Sequence, residues 1–171
     1  IYGIQQIGVG VENAEEAFEW YATRLGSDIL AFDDSNEATY MAPYMGGKPH
    51  KKRAVLAINL QGGGGYEIWQ YLDRKPKKQE PALKIGDLGI AIMKVKSRDI
   101  EKSCKRLKVQ GVRILNKVME YPDGKKGFCI EDPYGNIIEI KEYHSWYGKN
   151  GGDLGGVYGC TIGVSDIENS R

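Results

Sequence analysis

The sequence predicts an α+β fold made of two tandem βαβββ modules, and three observations predict it. A strand, helix, strand, strand, strand pattern is readable over residues 1–73 and again over 85–146. A charged, Pro-bearing stretch, "DRKPKKQEPAL", lies between the copies and marks a linker over 74–84. The pattern then opens a third time in "GVYGCTIGVSDIENSR", where Ile162, Gly163 and Val164 fall on Val9, Gly10 and Val11. Residues 147–171 are therefore read as a linker and the start of a third module.

The first copy begins with an apolar strand rich in Ile, Val and Gly. Asn13 followed by Glu16 has the spacing of a capping box. Ala14, Ala17, Phe18, Tyr21, Ala22 and Leu25 share one helical face, and Gly26 suits the helix stop. "DILAFDD" and "AVLAINLQ" read as strands, separated by a basic loop over 41–53. That loop contains "GKPHKKR", read either as a solvated segment or as an anion-capturing rim. "GGGG" is a turn and "YEIWQYL" the last strand.

The second copy repeats this order. "IGDLGIAIMKV" is a strand. "SRDIEKSCKRLKVQG" is a helix with Ile100, Cys104 and Leu107 on its buried face and Gly111 as its stop. "VRILNKVMEY" is extended, and "KKGFCIED" and "NIIEIKEY" form a hairpin around the turn "PYGN". In the third copy Ser165 and Glu168 repeat the capping-box spacing, but only a few residues of helix follow. So short a helix would not stand alone. The expectation is the N-terminal portion of a four-module protein, with a tail that docks elsewhere as the alternative.

Composition narrows the function classes. The formal net charge is +1, which gives no polyanion signal and predicts no nucleic-acid partner. No apolar run approaches the ~20 residues of a membrane span, and no signal-peptide layout opens the chain. Three well-separated cysteines, Cys104, Cys129 and Cys160, read as reduced thiols of a cytoplasmic protein. Cys129, between Phe128 and Ile130, is read as core packing.

Two carboxylates stand out. Glu139 in "EDPYGNIIEI" and Glu67 in "GGGGYEIWQYL" interrupt apolar strands, where a lone carboxylate is costly unless something pairs with it. Strand alternation puts Ile137 and Glu139 on one face, and Glu67, Trp69 and Tyr71 together on another.

This layout resembles the vicinal oxygen chelate superfamily, which includes glyoxalase I, bleomycin-resistance proteins and extradiol dioxygenases. The resemblance rests on the duplicated βαβββ pattern, on "QQIGVGVEN", and on "EDPYGNIIEI", which is similar to that family's D-P-x-G-N-x-x-E signature. It implies a curved, cup-like mixed sheet around a metal. Glu139 and Glu67 fall on the family's last-strand glutamates. Gln6 falls on the first-strand ligand, and Asp87 on its second-module counterpart. The implied metal set is Gln6, Glu67, Asp87 and Glu139, all oxygen donors. That favours Mg²⁺, Mn²⁺ or Ca²⁺, with Ni²⁺, Co²⁺ or Fe²⁺ remaining open. Neither His50 nor His144 lies at a ligand position, which disfavours extradiol cleavage here.

The resemblance then implies three functions. One is a divalent-metal lyase or isomerase acting on a small carbonyl substrate through an enediolate or enolate, with Glu139 or Glu67 as base. Another is a metal-free small-molecule binding module with Trp69, Tyr71 and Trp146 stacked on the ligand. The third is the non-catalytic half of a four-module dioxygenase-like protein, with a filled cup. The partner is a small-molecule substrate or ligand, and either a homodimer or pairing with a C-terminal half would complete the assembly.

Overall fold

Two mixed sheets, each backed by one helix, organise the chain. The computed structural model describes residues 3–77, 80, 81, 84, 86–148 and 151–170. The predicted linker, 74–84, lies partly outside these described residues. In the first half, β1 (Gln6–Val11), β2 (Ile29–Glu37), β3 (Lys51–Ile58) and β4 (Gly65–Tyr71) form a sheet in the order β1-β4-β3-β2. β1 and β4 are parallel; the other pairs are antiparallel. In the second half, β5 (Gly89–Ser97), β6 (Arg113–Ile114), β7 (Met119–Glu120), β8 (Lys126–Glu131), β9 (Ile137–Glu142) and β10 (Leu154–Gly163) form the order β10-β5-β9-β8-β6, with β7 also on β8. β5 and β9 are parallel, as β1 and β4 are.

The helices follow from their caps and apolar faces. α1 (Ala14–Leu25) starts at Asn13, whose Oδ1 accepts from the Glu15 and Glu16 amides. Its Nδ2 donates to Glu16 Oε1 at 2.8 Å, which closes the capping box. Gly26 ends it at φ +72°, a left-handed value that a side chain would resist. Ala14, Ala17, Tyr21 and Leu25 are buried against Val55, Ala57, Tyr66 and Ile68. α2 (Ile100–Val109) is capped by Asp99 and buries Ile100, Ser103 and Leu107, with Cys104 only half-buried.

One apolar cluster runs through both halves. Buried polar groups fasten it. The Tyr21 hydroxyl donates to Asp132 Oδ2 at 2.6 Å, joining α1 to the β8–β9 turn. Asp132 is the signature aspartate. Its Oδ1 accepts from the amides of Tyr134 and Asn136, so the turn is held by the same carboxylate. Burial first, then the Asp132 charge, pushes the Tyr21 phenol well above its ordinary range, so it stays a donor.

Several expectations need correction. The basic segment is not a loop to residue 53. A 3-10 helix covers Thr39–Tyr44, and β3 already begins at Lys51. Lys51, Lys52 and Arg53 pair with Glu37, Asn36 and Ser35, so charged side chains are tolerated on this exposed strand end. "VRILNKVMEY" is two short strands rather than one. Between them Asn116 accepts the Cys129 amide at 2.7 Å and replaces a rung of the ladder.

The segment read as a third module contributes β10, antiparallel to β5. Its start also bridges to the first half. Gly64 donates to the Val157 carbonyl, and Val157 donates back at 2.9 Å. This explains the glycine run. A Cβ on Gly63 would stand 2.7 Å from the Gly156 carbonyl carbon, so the two backbones touch only because both are glycine. Residues 164–170 form bends and a turn, not a helix. The capping side chain there is Asp166, not Ser165; it accepts from the Glu168 and Asn169 amides.

Candidate functional site

Strand register defines two faces turned away from the core, one per module. In the first, Gly8, Glu67, Leu56 and Phe32 stand opposite one another across β1, β4, β3 and β2. The next row is Gly10, Trp69, Ala54 and Asp34, and the one beyond holds Tyr71, Lys52 and Asn36. Directly opposed residues share a face. The alternate residues, Tyr66 and Ile68, are fully buried in the core.

Gln6 Nε2 donates to Glu67 Oε2 at 2.6 Å. Gln6, not Gln5, thus faces Glu67. Among the described residues the other carboxylate oxygen, Oε1, has no donor. A Cβ on Gly8 or Gly10 would meet nothing within 4 Å, so the floor beside Glu67 and Trp69 is open. Trp69 Nε1 is buried and has no acceptor among the described residues. Phe32, 39% exposed, forms an apolar wall. Tyr71 donates its hydroxyl to Met45 Sδ at 2.7 Å, which ties it to the segment before β3.

The second face has the same plan and different contents. Gly159, Lys94, Glu139 and Cys129 stand in one row across β10, β5, β9 and β8. Glu139 is only 6% exposed, and Lys94 Nζ lies 3.5 Å from its Oε2. Burial foremost, with Cys129 and Glu139 as neighbours, pushes the Tyr121 phenol well up. In the next row Lys96 donates to the Ser145 carbonyl at 3.0 Å and lies over the Trp146 ring. Lys141 pairs with Asp123 at 2.8 Å. Tyr143 and Tyr158 pack at 4.8 Å between ring centres.

Cys129 is on this face and not in the core, which corrects the sequence reading. Phe128 and Ile130 take the buried side, so alternation turns the thiol toward Glu139. Burial foremost raises the thiol's pKa, which leaves it a poor nucleophile.

Asp87 lies elsewhere. It is exposed in the turn before β5, where its Oδ2 accepts the Lys84 amide at 2.8 Å. The position matching Gln6 is Ile92. Each stands at the same distance before its helix cap, Asn13 or Asp99, and two residues before the one facing the glutamate. Helix caps align the repeats better than the glycines before the strands do.

The structure therefore brings Gln6 to Glu67 but leaves Asp87 in its turn and gives Glu139 an ammonium partner. Among the described residues no three His, Cys, Asp or Glu side chains gather closely enough to hold a metal ion. The donor set does not fit a four-ligand divalent cation. Asp87 is committed to a backbone amide, and Lys94 supplies the positive charge beside Glu139. Lys94 was missed in the sequence because a strand lysine reads as solvent-facing. Its signal was alternation with Met93 and Val95.

A family model described as Glyoxalase/Bleomycin resistance protein/Dioxygenase superfamily matches residues 3–140. No functionally curated protein matches the chain. Among solved structures, a glyoxalase family protein from Bacillus cereus aligns with a TM-score of 0.66 at 16% identity, over 86% of this chain and 96% of that one. A putative dioxygenase from Bacillus subtilis aligns at 0.59 and 19% identity, over 93% of this chain but 48% of that one. A lactoylglutathione lyase from Agrobacterium tumefaciens aligns at 0.52 and 14% identity, over 83% and 94%. At these identities the structures show the shared fold. Among the described residues no helix is long and apolar enough to cross a membrane.

Proposed function

The chain belongs to the glyoxalase/bleomycin resistance protein/dioxygenase superfamily, and from that premise we propose that it binds a small molecule on the first of these faces without a resident metal. One observation carries this reading. The strand position facing the glutamate is Gly8 in the first module and Lys94 in the second. Glycine leaves room for a ligand beside Glu67; lysine fills the room beside Glu139. Glu67 anchors the ligand through Oε1, and Gln6 holds the carboxylate in place. Trp69, with Phe32, offers an apolar surface.

The lyase or isomerase reading asks Gln6, Glu67, Asp87 and Glu139 to share a cation, and the placement of Asp87 and Lys94 opposes that. A wholly vestigial cup predicts two filled faces, and the open floor at Gly8 and Gly10 opposes that. Pairing with a further half is favoured by the Bacillus subtilis alignment, in which this chain accounts for 48% of the other protein. Such pairing is compatible with ligand binding in the first module.

The test combines elemental analysis with the indole N–H signals in a nitrogen-15 spectrum. We expect no stoichiometric divalent ion after loading with Mn²⁺ and Ni²⁺. We expect a saturable shift of the Trp69 signal with members of a carbonyl and hydroxyl compound library, lost in Glu67→Gln. A stoichiometric ion that disappears in the Glu67→Gln/Glu139→Gln double variant would overturn the metal-free reading.

A further inference from the structure

The rim of the first face carries cations that its floor does not use. Lys52 Nζ stands 4.4 Å from the centre of the Trp69 ring. Arg74 Cζ stands 4.2 Å from that of Tyr71. Among the described residues neither forms an ion pair with a carboxylate. The nearby acids are mostly occupied. Asp73 is held by His50 and by the Lys51 amide at 3.1 Å each. Asp34 accepts from Asn36. Glu12 and Asp73 line the groove with Tyr71, Arg74 and Lys75, two carboxylates against two cations, and Asp73 is already engaged.

The face is thus polarised along β4. Glu67 with Gln6 lies at one end, Trp69 and Tyr71 in the middle, and Lys52 and Arg74 at the other. Tyr71 lies four residue steps along the strand from Glu67, about 13 Å. A cation stacked on an aromatic ring keeps an N–H edge free for an anion. The buried Trp69 N–H has no acceptor among the described residues. Glu67 alone would favour an amine; two unpaired cations beside the same floor reject one.

Resting on the binding reading above, we propose that the ligand is an organic oxyanion with a flat apolar body. Lys52 and Arg74 receive the charged group. Trp69 and Tyr71 carry the body, and Glu67 reads a hydrogen-bond donor at the far end.

The experiment compares anilinonaphthalene sulfonate with its uncharged parent, phenylnaphthylamine, by fluorescence titration. One charge-assisted contact makes the sulfonate bind about tenfold tighter than the parent. That advantage shrinks to about twofold or less in Lys52→Gln/Arg74→Gln, and salt weakens only the sulfonate. Arg74 is exposed and Lys52 is half-buried near the start of β3, and unchanged circular dichroism shows that the variant keeps the fold. Trp69→Ala and Phe32→Ala weaken both probes, with unchanged circular dichroism. If those two variants weaken both probes but the charge variant changes nothing, the oxyanion proposal fails and the binding face stands. If the floor variants change neither probe, or neither probe binds saturably, the binding reading fails and the proposal falls with it.

Discussion

Gly8 and Lys94 hold the same place in their modules, each opposite a glutamate on the neighbouring parallel strand. Glu67, opposite the glycine, has one oxygen with no donor among the described residues, and the Gly8 position beside it is open. Glu139, opposite the lysine, is buried under an ammonium and a phenol. The same contrast recurs two residues on, where Gly10 faces open space and Lys96 is held by a carbonyl and a Trp ring. A duplicated fold can thus keep its backbone and divide its labour. Removing two side chains opens one face; adding two long ones closes the other and supplies the charge that a buried carboxylate needs.

The largest expected effect comes from removing that charge. Lys94→Ala leaves Glu139 buried and unpaired, and we expect a loss of about 2–3 kcal/mol in urea unfolding, discounted because Lys94 is partly solvated. Adding Glu139→Gln should recover most of it, since the uncompensated charge is then gone. A Lys94→Ala protein as stable as its parent would mean that Glu139 has another counter-charge, and the contrast between the faces would collapse. The corresponding Glu67→Gln should change stability by less than about 0.5 kcal/mol, because Glu67 faces an open floor.

A smaller effect follows from copying the second face onto the first. Gly8→Lys has space for its Cβ and places an ammonium opposite Glu67. We expect stability to hold or rise by about 0.5 kcal/mol, because glycine weakens a strand interior. We expect ligand binding, followed at the Trp69 indole, to weaken about tenfold, as one charge-assisted contact is lost. Unimpaired binding would move the site off this face.

Much of this was legible before the structure. Asn13, Glu16 and Gly26 marked α1 because capping chemistry is local, and alternation separated Glu67 and Glu139 from the buried residues beside them. The same alternation contained the answer for Cys129: a residue between two buried neighbours on a strand points away from them. The family resemblance puts Asp87 at a ligand position, whereas the structure gives it to a local turn. Aligned on the helix caps, Asn13 and Asp99, the repeats show Ile92 there instead. What no local pattern held was pairing across the chain. The docking of β10 depends on Gly63 and Gly156 approaching each other from residues far apart in sequence, and the Lys94–Glu139 pair depends on register. Both are properties of the assembled sheet.

The smallest effect concerns Lys96. Burial first, and behind it the Arg98 guanidinium, hold its ammonium below the ordinary lysine pKa. The folded protein therefore gives up this proton more readily than the unfolded chain does. Between the depressed folded value and the ordinary value of ~10.4, the unfolded chain binds more protons, and stability from this group rises with pH. Below the folded value both states are protonated, and the burial cost is felt in full. Lys96→Met removes the titration and keeps the chain length over Trp146. Wild type should therefore gain on Lys96→Met in urea midpoint as pH rises toward about 10. Parallel pH curves would show that Lys96 is as well solvated as a surface lysine. The second face would then be open like the first, and Gly10 against Lys96 would no longer distinguish them.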